Sequence, residues 1–150
     1  MPLPKFSTLS RLLTLIAPLG LLLTLVLITT FTRNVSDSAA PVGWYHVHWH
    51  APVKKGDLVL LRMPFKQVWA RAGDHVSFTP KGIYVQGQLV PNSKPEPGIT
   101  QLCPYGNYTV PDGMFLGLGT NDPDSWDSRY LCFLPEDLIA GTVTSLWTNH

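Results

Sequence analysis

"GTNDPDSWDSRY", residues 119–130, is a polar, turn-dense dozen set between two apolar stretches, DGMFLGL (112–118) and LCFLPEDLIAGTVTSLW (131–147). Both flanks read as strands, and a turn between strands takes about two to five residues. Here the connection carries Asn121, Asp122, Asp124, Ser125, Asp127, Ser128 and Arg129. On composition alone it is a solvated acidic turn. The alternative is a scaffold that holds something reactive in place.

Working outward, the segment 34–150 reads as all-β. GWYHVHWH (43–50) alternates, DLVLLRMP (57–64) is a short apolar run, and KQVWARAGD (66–74) follows at once. HVSFTPKGIYVQGQLV (75–90) reads as two strands around Pro80-Lys81-Gly82, with a turn at Gln86-Gly87. KPEPGITQLCPYG (94–106) is a loop by its breakers, and NYTVPDGMFLGLG (107–119) is strand, turn, strand. LPEDLI (134–139) suits one helical turn before a last strand, AGTVTSLW (140–147). Many short strands joined by turns suggest a small curled sheet or barrel. With 14 prolines and 12 glycines the composition agrees.

Ahead of this domain, Leu12 to Phe31 is an uncharged apolar run. At about 1.5 Å per residue a helix of that length spans roughly 30 Å, the thickness of a bilayer core. A single N-terminal transmembrane helix is therefore expected, with residues 1–33 as cytoplasmic tip and anchor and 34–150 as an extracytoplasmic domain. Lys5 and Arg11 before the run, against Arg33 after it, favour a cytoplasmic N-terminus. The rival is a cleaved signal peptide cut near SDSAA (36–40). The run is long for that, and Pro41 is a poor residue to follow a cut. Outside the cytoplasm a disulfide is permitted. The two cysteines, Cys103 and Cys132, allow one pairing, with two buried thiols as the alternative. A net charge of +1 with no basic run argues against a nucleic-acid partner.

Three segments carry candidate chemistry: NVSDSAAP (34–41), KQVWARAGD (66–74) and the opening dozen. In order and wording they resemble the type I signal peptidase family (peptidase S26). That family carries a serine just outside the membrane in SxSMxP, a lysine in KRVxxxxGD, and a closing box GDNxxxSxDSRY. The chain keeps Lys66, Val68, Gly73 and Asp74 of the second box. Of the third it keeps Gly119, Asn121, Ser125 and the block Asp127-Ser128-Arg129-Tyr130, with Thr120 in place of the aspartate. PVGWY (41–45) is similar to the PxGxY of the TraF-like peptidases of conjugation systems, which are small and process pilin precursors. The segment between Asp74 and Gly113 likewise leaves no room for the extra β-domain of housekeeping enzymes. TraF-like sequences place the serine two residues before that proline, a position held here by Ala39. Ser38 stands three before Pro41, as in the housekeeping pattern, and four after Asn34, a TraF-like spacing.

The resemblance implies a Ser/Lys dyad of Ser38 and Lys66. A serine hydroxyl is a weak nucleophile until a neighbouring base takes its proton. Lysine serves only when neutral, and its free pKa is about 10.4. Burial among apolar neighbours lowers that value, and Lys66 is flanked by Met63, Pro64, Phe65, Val68 and Trp69. The resemblance also implies that Ser125 orients the lysine amine, that Asp127 and Arg129 pair to brace the loop, and that Gly119 and Asn121 belong to the same support. The oxyanion hole falls to the backbone N–H of Ser38 and the hydroxyl of Ser36. No metal or cofactor is implied. His46, His48 and His50 alternate along one strand and suggest zinc as a rival; the plain reading is half-exposed strand residues.

The expectation is thus a membrane-anchored serine endopeptidase on the periplasmic side of a bacterial inner membrane. It would cut secretory or pilin precursors after small residues, with cyclisation of the pilin as a second outcome. Its partners would be the precursor polypeptide, the lipid bilayer and other conjugation or secretion subunits, with Val42, Trp44 and Trp126 at the membrane interface. The alternative from another class is a catalytically inactive accessory protein on the same fold.

Overall fold

The computed structural model describes residues 8–35, 38–61 and 65–148, and the side chains of residues 14 and 16 onward within them. It opens with helix α1 (Thr8–Thr30), then β1 (Phe31–Asn34), β2 (Gly43–Trp49), β3 (Leu58–Leu61), β4 (Lys66–Arg71), β5 (His75–Thr79) and β6 (Gly82–Val85). There follow β7 (Gln88–Leu89), β8 (Gly106–Thr109), β9 (Met114–Leu118), the short helix α2 (Ser128–Leu131), β10 (Leu134–Pro135) and β11 (Ile139–Thr148). Glu136–Leu138 forms one 3-10 turn between β10 and β11.

All strand pairs are antiparallel, in two sheets. The larger has the order β1-β2-β11-β3-β4-β9-β10, the smaller β7-β6-β5-β8. Register shifts in β11 and between Val68 and Ala70 in β4 give the large sheet the extra local twist that bends such a surface into a curl. The chain leaves the large sheet at the end of β4 by a tight turn. Gly73 adopts φ +87°, and the Asp74 carboxylate accepts the Arg71 N–H at 3.0 Å. That conformation suits a residue without a Cβ, which explains the Gly-Asp pair there. β8 and β9 are consecutive but do not pair: β8 closes on β5 and β9 on β4.

The period of two decides which side chains enter the core. In β2, Gly43, Tyr45 and Val47 are buried, while Trp44 and His48 are exposed. In β4, Lys66, Val68 and Ala70 face inward. The lysine therefore sits on the core face, in step with valine and alanine. Two apolar clusters flank it. One contains Ala40, Tyr45, Val47, Phe65 and Val143, the other Val59, Leu61, Val68, Phe115 and Leu134.

The N-terminal segment departs from expectation. Among the described residues no helix is long and apolar enough to cross a membrane, so the transmembrane anchor expected over Leu12–Phe31 is not found. Pro18 and Gly20 interrupt the apolar run, as do Thr24, Thr29 and Thr30, whose hydroxyls bond back to carbonyls of the preceding turn. Phe31, taken as its last residue, instead opens β1 and pairs with His46. The described part of α1 nonetheless exposes Ile16, Leu19, Leu21, Leu22, Leu25 and Ile28.

Candidate active site

The dozen that opened the sequence reading folds around one buried ion pair. Asp127 caps the N-terminus of α2, accepting the Arg129 N–H at 3.0 Å. The same oxygen takes the Arg129 Nε at 3.0 Å. The other carboxylate oxygen accepts the Gly119 N–H at 2.8 Å and Arg129 Nη2 at 3.1 Å. The guanidinium also reaches the carbonyls of Gly119, Asp122 and Pro123. Ser128 Oγ accepts the Gly117 N–H at 3.0 Å. Asp127 and Arg129 are essentially inaccessible to water. An ion pair this deep is tolerable only because nearly every donor and acceptor has a partner. The dozen is thus a closed polar knot, with Asp124 exposed on its surface and Asp122 half-buried.

The knot delivers Ser125 to Lys66. The lysine Nζ donates to Ser125 Oγ at 2.7 Å, and the lysine is 2% exposed. Burial is the main cause that lowers the pKa of this amine below the ordinary lysine value. Arg129 lowers it further, while Asp127 and Asp122 pull the other way. Burial therefore disfavours the charged form of an amine whose direction the Ser125 hydroxyl fixes.

Ser38 reaches the same place from β1. It is 5% exposed, and its carbonyl accepts the Asn121 N–H at 2.8 Å. A Cβ placed on Gly119 would stand 2.3 Å from Ser125 Oγ and 2.8 Å from the Ser38 carbonyl oxygen. Glycine at 119 is therefore the condition for the two serines and the lysine to converge. Beside them opens a cleft of about 630 Å³, lined by Ala39, Ala40, Pro41, Gln67, Asn121 and Val143 among others. The chain after Ser38 and Gln67, the residue next to Lys66, both line it.

The structure brings together Ser38, Lys66, Gly119, Asn121, Ser125, Asp127 and Arg129. Ser36, expected to add an oxyanion donor, lies outside the described residues, as do Met63 and Pro64 beside the lysine. Cys103 and Cys132 are joined as a disulfide. The bridge ties the proline-rich loop to the residue after α2, and Leu102 N–H donates to the Tyr130 carbonyl alongside it. The histidine row does not act as one set. His46 Nδ1 and His48 Nε2 lie 3.3 Å apart, but His50 turns out of the strand with φ 58°. Among the described residues no three metal-ligating side chains gather. Trp126 stacks on Tyr130 and remains exposed.

Two contributors escaped the sequence reading. Asn34, noted only for its spacing, is buried at the end of β1, and its amide nitrogen donates to the carbonyls of Ala40 and Pro41. Tyr45 donates its hydroxyl to the Pro41 carbonyl at 2.7 Å. The only signal for either was position: an amide four residues before the serine, and a tyrosine on the inward phase of an alternating strand.

The site is thus a buried lysine amine held by a serine hydroxyl beside an open cleft, on an antiparallel β domain. The chain belongs to the signal peptidase family: the model described as "Signal peptidase, peptidase S26" matches residues 6–148. A curated relative, the "Probable signal peptidase I-2" of Synechocystis sp. (strain ATCC 27184 / PCC 6803 / Kazusa), is 32% identical over 76 residues. That match covers 51% of this chain and 34% of the relative, so the chain aligns with about a third of the relative's length. Among solved structures, a signal peptidase I from Enterococcus faecalis V583 superposes with a TM-score of 0.44 at 23% identity, covering 63% of this chain and 98% of the other.

Proposed function

We propose that the chain is a serine endopeptidase that removes leader or terminal segments from precursor polypeptides. Ser38 Oγ attacks the scissile carbonyl, and the neutral amine of Lys66 takes its proton. The ammonium then gives that proton to the departing amine as the peptide bond breaks and the acyl–Ser38 ester forms. Water deprotonated by the same lysine hydrolyses the ester and frees the serine. The Ser38 N–H and the Ser36 hydroxyl are assigned to the oxyanion, an interaction worth about 2.7–4 kcal/mol per donor in other proteases. The observation that carries this reading is the buried Lys66 Nζ bonded at 2.7 Å to the uncharged Ser125 Oγ. A surface lysine has no use for such a setting.

The substrate side follows from the cleft. Its walls of Ala39, Ala40, Pro41 and Val143 favour an extended chain with small apolar residues before the cut. We assign the chain to the TraF-like branch on PVGWY and on the short span between Asp74 and Gly113, which holds only β5 to β8 and a loop. Pilin precursors are then the substrate class. Attack on the acyl-enzyme by the substrate's own amino terminus would give a cyclic product in place of hydrolysis. The exposed apolar side chains of α1, with Trp44 and Leu146 beside its end, support a domain that rests on a lipid surface, where tryptophan is favoured; the proposed location is the periplasmic side of the inner membrane.

The test is processing of a co-expressed small secreted precursor by wild type, Ser38→Ala and Lys66→Ala, read by intact mass. Loss of cleavage in both variants is expected, and a product lighter by one water than the linear peptide identifies cyclisation. If both variants process like wild type, the dyad is wrong. If wild type too is inert, the fold serves as an accessory subunit of a secretion or conjugation apparatus.

A further inference from the structure

The segment after Ser38 has no regular secondary structure before β2 begins at Gly43, yet three of its carbonyls are held by side chains or backbone from elsewhere. Asn121 N–H binds the Ser38 carbonyl at 2.8 Å. Asn34 Nδ2 binds the Ala40 carbonyl at 2.8 Å and the Pro41 carbonyl at 3.2 Å. Tyr45 Oη adds a second donor to Pro41 at 2.7 Å. Asn34 is 5% exposed and Tyr45 1%. Below them Ala40 packs with Val47, Phe65 and Val143, and Phe65 precedes Lys66 and meets the Tyr45 ring edge-on at 5.2 Å.

The chemistry of position 34 is narrow. Two carbonyl oxygens face one side chain, so the group there must offer two hydrogens from one atom. A primary amide does this; a hydroxyl offers one hydrogen and a carboxylate none. Glutamine has the right group on a longer arm, and its amide would overrun carbonyls already at 2.8 and 3.2 Å. Asn34 is also the last residue of β1, whose ladder to Gly43 fixes its backbone. A rigid strand thus clamps the far end of the turn that carries the serine.

We propose that Asn34 is a positioning residue for the nucleophile. By fixing Ala40 and Pro41 it sets the height of Ser38 in the cleft, while Asn121 fixes the near end. This rests on the reading of Ser38 as the attacking residue. A misplacement of about 1 Å costs on the order of a hundredfold in rate, so a loosened turn shows itself in kcat before it shows itself in binding.

The test compares Asn34→Ala and Asn34→Asp with wild type on a synthetic peptide spanning a precursor cleavage site, with kcat and KM measured separately. Asn34→Asp keeps the shape and removes the donors. The control for lost stability is Ser93→Ala. Ser93 is 1% exposed, its hydroxyl accepts from Ile83 N–H and donates to the Val90 carbonyl, and it does not line the cleft. Both Asn34 variants should lose tenfold to a hundredfold in kcat, with KM within about threefold of wild type and the protein folded at the assay temperature. Ser93→Ala should melt lower but keep its kcat. Wild-type kcat in both Asn34 variants overturns the inference. So does a fall in kcat that Ser93→Ala matches at equal loss of melting temperature. Ser38→Ala run in parallel separates the two levels: if it stays active the nucleophile assignment fails, whereas if it is dead while the Asn34 variants are normal only the positioning role fails.

Discussion

Gly119→Ala should inactivate the protein without altering any group that takes part in bond making. A Cβ at that position stands 2.3 Å from Ser125 Oγ, 2.8 Å from the Ser38 carbonyl oxygen and 3.0 Å from Ser125 Cβ. Relaxed contacts between carbon atoms lie near 3.5–4.0 Å, so the surroundings must open by about an ångström. The Ser38 carbonyl cannot yield freely, because it is bonded to the Asn121 N–H. Gly119 cannot retreat either, since its N–H is bonded to Asp127 and its carbonyl to Arg129. The displacement therefore falls on Ser125, the residue that holds Lys66. Overpacking of this kind costs roughly 1–3 kcal/mol of stability. An ångström of misplacement costs about a hundredfold in rate, the equivalent of roughly 2.7 kcal/mol in the barrier. The assay is kcat on a precursor peptide, with a thermal melt on the same preparation. Gly106→Ala in β8 serves as control, because the nearest atoms to a Cβ there belong to the Tyr108 side chain, at 3.7 Å or beyond. Wild-type kcat and melting temperature in Gly119→Ala would refute the convergence of Ser38, Ser125 and Lys66 at this glycine.

Further outcomes can be checked. Ser125→Ala removes the 2.7 Å bond to Lys66 Nζ; leaving the buried amine without that partner costs about 1–3 kcal/mol, which should appear as a fall in kcat of roughly five- to a hundredfold. Activity should rise with pH through a Lys66 pKa lying below 10.5. Asp127→Asn should move that limb to lower pH by removing a charge that favours the ammonium, and should destabilise by about 3–5 kcal/mol by leaving Arg129 buried and unpaired. Because the folded amine has the lower pKa, the unfolded chain holds a proton that the native chain lacks between the two values, so native stability climbs as pH rises through that window. Lys66→Met should therefore be inactive yet melt above wild type at neutral pH, with the advantage shrinking toward pH 10.5 in a melting series. Cys103→Ser opens a loop of sequence separation 29 and should cost about 3–4 kcal/mol on chain-entropy grounds, read by denaturant unfolding.

The strands were legible because alternation and turn residues speak locally. β2, β4, β5 and β6 fall where their periods of two and their glycines put them, and Lys66 lies on the inward phase with Val68 and Ala70. Which strands pair was not legible. β8 and β9 look like a hairpin in sequence and belong to different sheets, because pairing is decided by distant partners. β1 was hidden inside an apolar run whose hydropathy describes a helix equally well, and the same run led to a transmembrane span that is not found. The dozen at 119–130 looked like a solvated turn by composition; only the family's wording showed that its charges turn inward onto each other. Asn34 and Tyr45 carried no motif at all, since their role depends on carbonyls whose positions exist only after folding.

The most direct test of the Ser38–Lys66 chemistry is to trap the acyl-enzyme. Wild-type protein is mixed with excess precursor peptide, quenched in acid during the first turnover, and the covalent adduct is located by peptide mapping and mass. The expected result is an acyl group on the peptide that contains Ser38, absent in Ser38→Ala and Lys66→Ala. An adduct on another residue, or rapid cleavage by Ser38→Ala, would contradict it.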